Sequence, residues 1–156
     1  MKKVLVRGPL LSQSGYGNHA RQIVRWLLGR NDVEVCAQVL HWGVTPWLID
    51  AEAEDGLIGK IMEISVSSMP TDIDISYQIQ LPNEWDNTLA AKNIGVTAAV
   101  ETDICNPEWI SHCNMMDAVV VPSQFTRGTI ERSGNLTTHI AVIPVPYTHL
   151  RAHETH

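Results

Sequence analysis

The sequence has 156 residues, of which 44% are hydrophobic and 18% are charged, and its formal net charge at pH 7 is -6. This length supports one domain with a substantial core but not two domains of ordinary size. The acidic balance, with no cluster of basic residues beyond Lys2 and Lys3, argues against nucleic acid as a partner, and no apolar run is long enough for a transmembrane segment.

Cysteine usage and the amino terminus bear on the compartment. Cys36, Cys105 and Cys113 are odd in number and lack C-x-x-C spacing, so they predict neither a disulfide framework nor a zinc site. The apolar run at the amino terminus is interrupted by Arg7 and Gly8, and no cleavage site of small residues follows it. We interpret this segment as the first strand of a cytoplasmic protein.

The first 40 residues alternate between strand and helix patterns. Residues 3–7 are rich in β-branched side chains and predict a strand, whereas residues 16–28 place apolar side chains on one side at helical spacing. Ser14 or Asn18 is expected to cap this helix and Gly29 to end it. Residues 33–40 predict a second, largely apolar strand, which completes one βαβ unit.

The rest of the chain continues this alternation. Further strands are predicted at residues 73–79, 94–101, 117–122 and 139–146, and helices at residues 55–64, 106–116 and 123–134. Strands that alternate with helices favour a parallel sheet. The sequence therefore predicts an α/β fold over residues 1–146, with a Rossmann-like parallel sheet and helices on both faces.

Two glycines follow the first predicted strand. Gly15, Gly17 and Ala20 spell the dinucleotide pattern G-x-G-x-x-A, but the seven residues 9–15 make the loop too long for that site. The second predicted strand also ends without the carboxylate that a dinucleotide ribose needs. A longer loop before a helix N-terminus suits an anion such as a diphosphate, and the alternative that the glycines only form a turn stays open.

The last ten residues differ from the rest of the chain in composition and in hydrophobic pattern. Residues 147–156 read YTHLRAHETH, without an apolar period, and hold three of the seven histidines. Their spacing predicts a metal site only if they form a helix, and no apolar stripe would hold such a helix in place. The stretch resembles a translated sequencing-library adapter, so we interpret it as a non-native tail and expect natural sequence to be missing after residue 146.

Three stretches carry a family resemblance, in the expected order and spacing. They read VLVRGPLLSQSGYGNHARQIVRWL, NIGVTAAVETDICNPEWISHCNMMDAVVVPSQFTRGTIERSG and IAVIPVP. Together they resemble the N-terminal domain of a GT-B glycosyltransferase of the retaining family 4 (group 1) type, over residues 1–146. The features that carry the likeness are the SGYG loop before an H-x-R helix, the D-x-V-V-V-P-S-x-F segment and the strand that enters an interdomain linker.

The resemblance implies two Rossmann-like domains that face each other across a cleft. The C-terminal domain of such enzymes holds most of the nucleotide-diphosphate sugar donor and carries the glutamate pair and the basic residue that neutralise the leaving diphosphate. The N-terminal domain binds most of the acceptor, which is a carbohydrate, a lipid or a glycan. Catalytic residues are therefore unknown in this chain, which we expect to be inactive alone. No cofactor is predicted and, because no Asp-x-Asp lies in a strand-end loop, no metal.

The resemblance also implies a donor-facing loop. Gly15 and Gly17 match the loop whose amides face the diphosphate, and Tyr16 and Asn18 shape that loop or reach the substrate. His19 either points into the cleft or is an ordinary surface histidine. These assignments follow the residues that match the family motif.

Five residues are candidates for the acceptor side of the cleft. Glu101, where many relatives have a histidine, and Asp103 follow the fourth predicted strand, with a solvated loop acid and a helix cap as their alternatives. Ser123 begins a helix at the same sheet edge, and a plain N-cap is its alternative. Glu84 and Trp85 follow the third strand, where an aromatic ring can stack on a sugar, although loop packing explains Trp85 equally well.

These observations favour a glycosyltransferase fragment that lacks its donor-binding domain. The alternative from another class is a non-catalytic Rossmann-like module that binds a nucleotide or a sugar, and a dehydrogenase ranks third. An uninterrupted gene distinguishes the first two, because the enzyme requires a second α/β domain with paired glutamates downstream.

Overall fold

The computed structural model describes residues 1–40, 48–97 and 108–143. Within these residues, six strands form one sheet whose neighbouring strands all run parallel, in the order β2-β1-β3-β4-β5-β6. They are β1 (Lys2–Gly8), β2 (Val33–Val39), β3 (Ile75–Ile79), β4 (Lys92–Val96), β5 (Ala118–Val121) and β6 (His139–Val142). The predicted α/β, Rossmann-like parallel sheet is confirmed.

Four α-helices connect these strands in the described ranges. They are α1 (Gly15–Leu28), α2 (Leu57–Ile64), α3 (Glu108–Met115) and α4 (Gln124–Ser133), and a 3-10 turn spans Pro82–Glu84. The predicted start of α2 was two residues early, because Asp55 and Gly56 have positive φ angles of 60° and 85° and cannot belong to a right-handed helix.

The fourth strand differs most from its predicted bounds. It begins at Lys92 rather than at residue 94 and has ended by Thr97. The apolar pattern missed Lys92 and Asn93 because both are polar, yet Asn93 is buried and its N–H donates to the Asp117 carboxylate at 2.7 Å. Residues 98–107, which include the rest of the predicted strand and the predicted cap of the next helix, lie outside the described residues.

Side chains alternate between the two faces of the sheet, and each face has its own apolar cluster. On one face, here called the α1 face, α1 and α2 cover β1 and β2. Its buried members include Val4, Val6, Ala20, Val24, Leu27, Ala37, Ile58, Ile61, Ile79 and Val96. On the opposite face, the α3 face, α4 covers β5 and β6, α3 packs against the 3-10 turn, and the Trp85 ring lies over Gly95 of β4. Its buried members are Trp85, Ile110, Cys113, Met116, Val119, Val121, Ile130 and Ile140.

The connection from β3 to β4 contains only the 3-10 turn and is held by buried polar side chains. The Gln78 amide donates to the Asp86 carbonyl at 2.6 Å and accepts from the Asp86 N–H at 2.7 Å. The Asn93 amide donates to the carbonyls of Asn87 and Ala90. Because buried polar groups are stable only when they are paired, this network fixes the path of a segment that has no α-helix of its own.

Candidate functional site

The candidate site lies at the carboxyl edge of the sheet, where the direction of chain winding reverses. The chain passes from β1 to β2 on one side, whereas β3 to β6 follow one another on the other side of β1. In open α/β sheets, ligands bind at the crevice that such a reversal creates. Residues Pro9–Ser14 leave β1 at this crevice and lead directly into α1.

This loop, residues 9–14, is tightly folded on itself. The Leu10 N–H donates to the Gly8 carbonyl at 2.8 Å, and the Ser12 N–H donates to the Pro9 carbonyl at 3.0 Å. Ser14 has extended backbone angles and its hydroxyl accepts from the Gly17 N–H at 3.0 Å, which makes it the N-cap of α1. Of the two predicted caps, Ser14 is therefore the actual one.

Gly17 is required by the packing of this loop. A Cβ atom at Gly17 would lie 2.1 Å from the Ser12 carbonyl oxygen and 3.0 Å from that of Pro9. The side of Gly17 that lacks a side chain is thus filled by the loop backbone, and its N–H is already bonded to Ser14. Gly15 is the first residue of α1, at the end where the helix dipole favours an anion. The predicted contact of these glycines with a diphosphate stays a prediction.

Tyr16 and Asn18, in the first turn of α1, each make a side-chain contact in the structure. The Tyr16 hydroxyl lies 3.1 Å from the Thr97 hydroxyl, so the first turn of α1 is tied to the end of β4. The Asn18 side-chain oxygen accepts from Nη2 of Arg21 at 2.5 Å. The two roles that the sequence left open for these residues, shaping the loop or reaching the substrate, stay predictions.

Arg21 is the residue of this region to which the sequence assigned no role. Its side chain is only 3% exposed, and Nη1 donates to the carbonyls of Leu10 at 3.0 Å and Ser12 at 2.8 Å. Its Nε lies 2.5 Å from a carboxylate oxygen of Glu54. Burial lowers the pKa of the guanidinium and Glu54 opposes this shift. The sequence signal for the burial of Arg21 is its position beside the apolar stripe of α1, three residues before the buried Val24.

A polar cleft of about 580 Å³ opens beside the loop. It is lined by Gln13, Ser14, Asn18, Arg21, Leu48 and Glu54. The cleft therefore combines amides and a hydroxyl with an ion pair in which Arg21 is buried and Glu54 is partly exposed.

The two candidates after β3 have local roles. The Glu84 side chain is exposed and its carboxylate accepts from the Leu81 N–H at 3.0 Å. Trp85 is 6% exposed, its ring Nε1–H donates to the Gln78 carbonyl at 3.0 Å, and its ring covers Gly95, where a Cβ would lie 2.6 Å away. An indole enclosed in this way has no face left for a sugar, so the alternative of loop packing describes Trp85.

The remaining acceptor-side candidates do not meet at one described site. The Ser123 hydroxyl accepts from the Thr126 N–H at 3.2 Å, which is the N-cap role named as its alternative. Glu101 and Asp103 lie outside the described residues.

His19 lines a second cavity, on the α1 face. This cavity of about 500 Å³ is bounded by His19, Gln22, Ile23, Trp26, Tyr77, Ile94, Val96, Val120 and Ile143. His19 is 9% exposed, and burial lowers the pKa of its imidazole. The structure therefore places His19 against an apolar cavity rather than at the surface.

Comparisons with protein-family models, with curated proteins and with solved structures returned no match. Among residues 1–40, 48–97 and 108–143, no cluster of His, Cys, Asp and Glu has the arrangement of a metal site. The helices in those ranges are all too short or too polar to cross a bilayer.

Proposed function

We propose that the chain is the N-terminal domain of a GT-B glycosyltransferase, which transfers a sugar from a nucleotide-diphosphate sugar to an acceptor hydroxyl. The sequence resemblance over residues 1–146 supports this proposal, and the Rossmann-like parallel sheet is compatible with it. A fold of this class hosts many functions, and only the residues of the site distinguish them.

The observation that carries the proposal is the position of the loop Pro9–Ser14. It leaves β1 at the winding reversal of the sheet and ends at the N-terminus of a 14-residue helix. A helix N-terminus presents backbone N–H groups and the positive end of the helix dipole, which favour a phosphate group. The tie between Tyr16 and Thr97 holds this helix end over the carboxyl edge of β4.

A nicotinamide or flavin site fits these residues less well. The path from Gly8 to Gly15 is longer than the tight dinucleotide turn, and Gly17 faces the carbonyl of Ser12 rather than open space. The described end of β2, Val39 and Leu40, has no carboxylate for a ribose. A diphosphate held at the helix end needs neither feature.

In the proposed reaction, the bond between the anomeric carbon and the diphosphate oxygen breaks. A bond from that carbon to the acceptor oxygen forms, negative charge develops on the departing nucleoside diphosphate, and the diphosphate takes up the proton that the acceptor hydroxyl loses. Fixed dipoles aimed at this charge stabilise the transition state without reorganising. The N-terminus of α1 supplies one such dipole, and the proposed second domain supplies the charged groups. We place this reaction in the cytoplasm, with a carbohydrate, a lipid or a glycan as acceptor.

Titration of the ¹⁵N-labelled chain with inorganic diphosphate, UDP, ADP and NADH tests the proposal. We expect the amide signals of Gly15, Tyr16 and Gly17 to shift with diphosphate and with a nucleoside diphosphate, at millimolar affinity because half of the cleft is missing. Tighter binding of NADH, or no shift with any diphosphate, would overturn it. If the uninterrupted gene ends near residue 146, diphosphate binding would instead indicate the non-catalytic module.

A further inference from the structure

Arg21 is a buried cation with hydrogen bonds from both of its terminal nitrogens and an ion pair at its Nε. Its three guanidinium nitrogens reach four acceptors: two loop carbonyls, the Asn18 side chain and the Glu54 carboxylate. Burying a guanidinium is costly unless it is paired and hydrogen-bonded in this way. The loop Pro9–Ser14 is thus folded around a cation that belongs to the following helix.

The two carbonyl contacts fix the orientation of loop peptide units. In a planar trans peptide the N–H points opposite to the C=O, so turning the carbonyls of Leu10 and Ser12 toward Arg21 turns the N–H groups of Leu11 and Gln13 away from it. The Ser12 carbonyl is also the group that faces Gly17. The Arg21 side chain therefore fixes both the orientation of the loop peptides and the way the loop packs against Gly17 of α1.

Glu54, the ion-pair partner of Arg21, lies in a strained turn. Glu54, Asp55 and Gly56 have φ angles of 52°, 60° and 85°, three consecutive residues in the left-handed region. For the two residues with side chains this conformation is unfavourable and persists only where surrounding contacts enforce it. Those contacts include the Glu54 carboxylate on Arg21 and, at 3.6 Å, on Arg25.

We propose that Arg21 is the positioning residue of the donor-facing loop, which it holds in the anion-binding conformation without touching the anion, while Glu54 reduces its positive charge. This inference rests on the proposed function, because it assigns a task within the same site. The two members of the ion pair have different roles: Arg21 supports anion binding, whereas Glu54 supports stability and opposes anion binding.

The test compares anion affinity with thermal stability in four variants of the intact chain: Arg21→Ala, Arg21→Lys, Glu54→Gln and Arg25→Gln. Inorganic diphosphate is the probe, its dissociation constant is measured by NMR, and the melting temperature is measured by circular dichroism. We expect Arg21→Ala to bind diphosphate at least about tenfold more weakly, because the loop loses its preorganisation. Glu54→Gln should bind equally well or more tightly, since a negative charge near the site is removed. Both variants should melt at a lower temperature than the wild type.

Arg25→Gln is the matched control. Arg25 lies one helical turn after Arg21 and contacts the same carboxylate, but its side chain is 45% exposed and its ion pair is with Glu54 rather than with the loop. Its affinity for diphosphate should stay within about twofold of the wild type, as for other exposed ion pairs. Methylguanidinium at millimolar concentration should restore diphosphate binding to Arg21→Ala, whereas ethylammonium should not, because only a planar fork can serve the same acceptors.

The outcomes separate this inference from the proposed function. If the wild-type chain does not bind diphosphate, the proposed function fails and the role of Arg21 fails with it. If the wild type binds and folded Arg21→Ala or Arg21→Lys binds equally well, only the positioning role is wrong. Glu54→Gln keeps the test decisive even if both Arg21 variants fail to fold, because an affinity lowered together with the melting temperature would mean that the ion pair acts through stability alone.

Discussion

The N-termini of α1 and α4 begin with the same local structure. Each has a serine N-cap with extended backbone angles, and each serine hydroxyl accepts from the N–H three residues later, in Gly17 and Thr126. Each also has an aromatic residue two positions after the cap, Tyr16 in α1 and Phe125 in α4.

Their surroundings differ. The loop before α1 closes over the buried Arg21, and Tyr16 is tied to Thr97, whereas Phe125 is 53% exposed. An N-cap by itself therefore does not distinguish a candidate site from an ordinary helix start. The distinction comes from contacts made by residues distant in the chain.

The largest expected effect comes from adding one methyl group at Gly17. In Gly17→Ala the new Cβ would meet the Ser12 carbonyl at 2.1 Å, and because both partners are backbone neither yields easily. We expect a loss of about 3 kcal/mol in the free energy of unfolding. Urea denaturation measures it.

A glycine further along α4 should give an effect of the opposite sign. A Cβ at Gly128 would meet only the flexible end of Arg132, at 2.8 Å. Gly128→Ala should therefore stabilise the chain by about 0.5–1 kcal/mol through helix propensity. Equal effects at the two glycines would mean that Gly17 is packed no more tightly than Gly128.

Removing each cap sharpens the comparison. Ser14→Ala and Ser123→Ala each lose one capping hydrogen bond, so both should lower the free energy of unfolding by about 1 kcal/mol. Only Ser14→Ala should also weaken the binding of inorganic diphosphate in the NMR titration, since only that cap shapes the loop before α1. A weaker affinity in Ser123→Ala as well would contradict the assignment of the site to α1.

The aromatic positions predict a smaller difference. Tyr16→Phe removes the hydroxyl that faces Thr97, and we expect a loss of about 0.5–1.5 kcal/mol in denaturation experiments. Phe125→Leu keeps an apolar side chain at an exposed position and should change stability by less than about 0.5 kcal/mol. If Tyr16→Phe lowered the free energy of unfolding no more than Phe125→Leu does, the contact between Tyr16 and Thr97 would not stabilise the fold.

The smallest expected effect is the contribution of His19, in α1, to the pH dependence of folding stability. Burial lowers the pKa of this imidazole in the folded chain, so the unfolded chain takes up the proton first. The stability that neutral His19 contributes is therefore complete above the unfolded pKa of about 6.5 and is lost as the pH falls through the lower folded pKa. The slope for one proton cannot exceed about 1.4 kcal/mol per pH unit.

Denaturation of the wild type and of His19→Gln between pH 7.5 and pH 5 isolates this contribution from the titrating carboxylates. The wild type should lose more stability than the variant over that interval. Parallel curves would show that His19 is protonated equally in both states.

The sequence alone determined the fold class, because apolar periods of two and of 3.6 residues are local properties. They can be recognised without knowing any tertiary contact. Ser14 and Ser123 were predictable as caps for the same reason. The start of β4 at Lys92 was not, since buried polar residues look exposed until their partners are known. The tertiary structure alone decided that Trp85 is enclosed in the core, that Gly17 meets the Ser12 backbone and that Arg21 organises the loop. Each of these depends on which distant atoms come within a few ångströms, which no local pattern encodes.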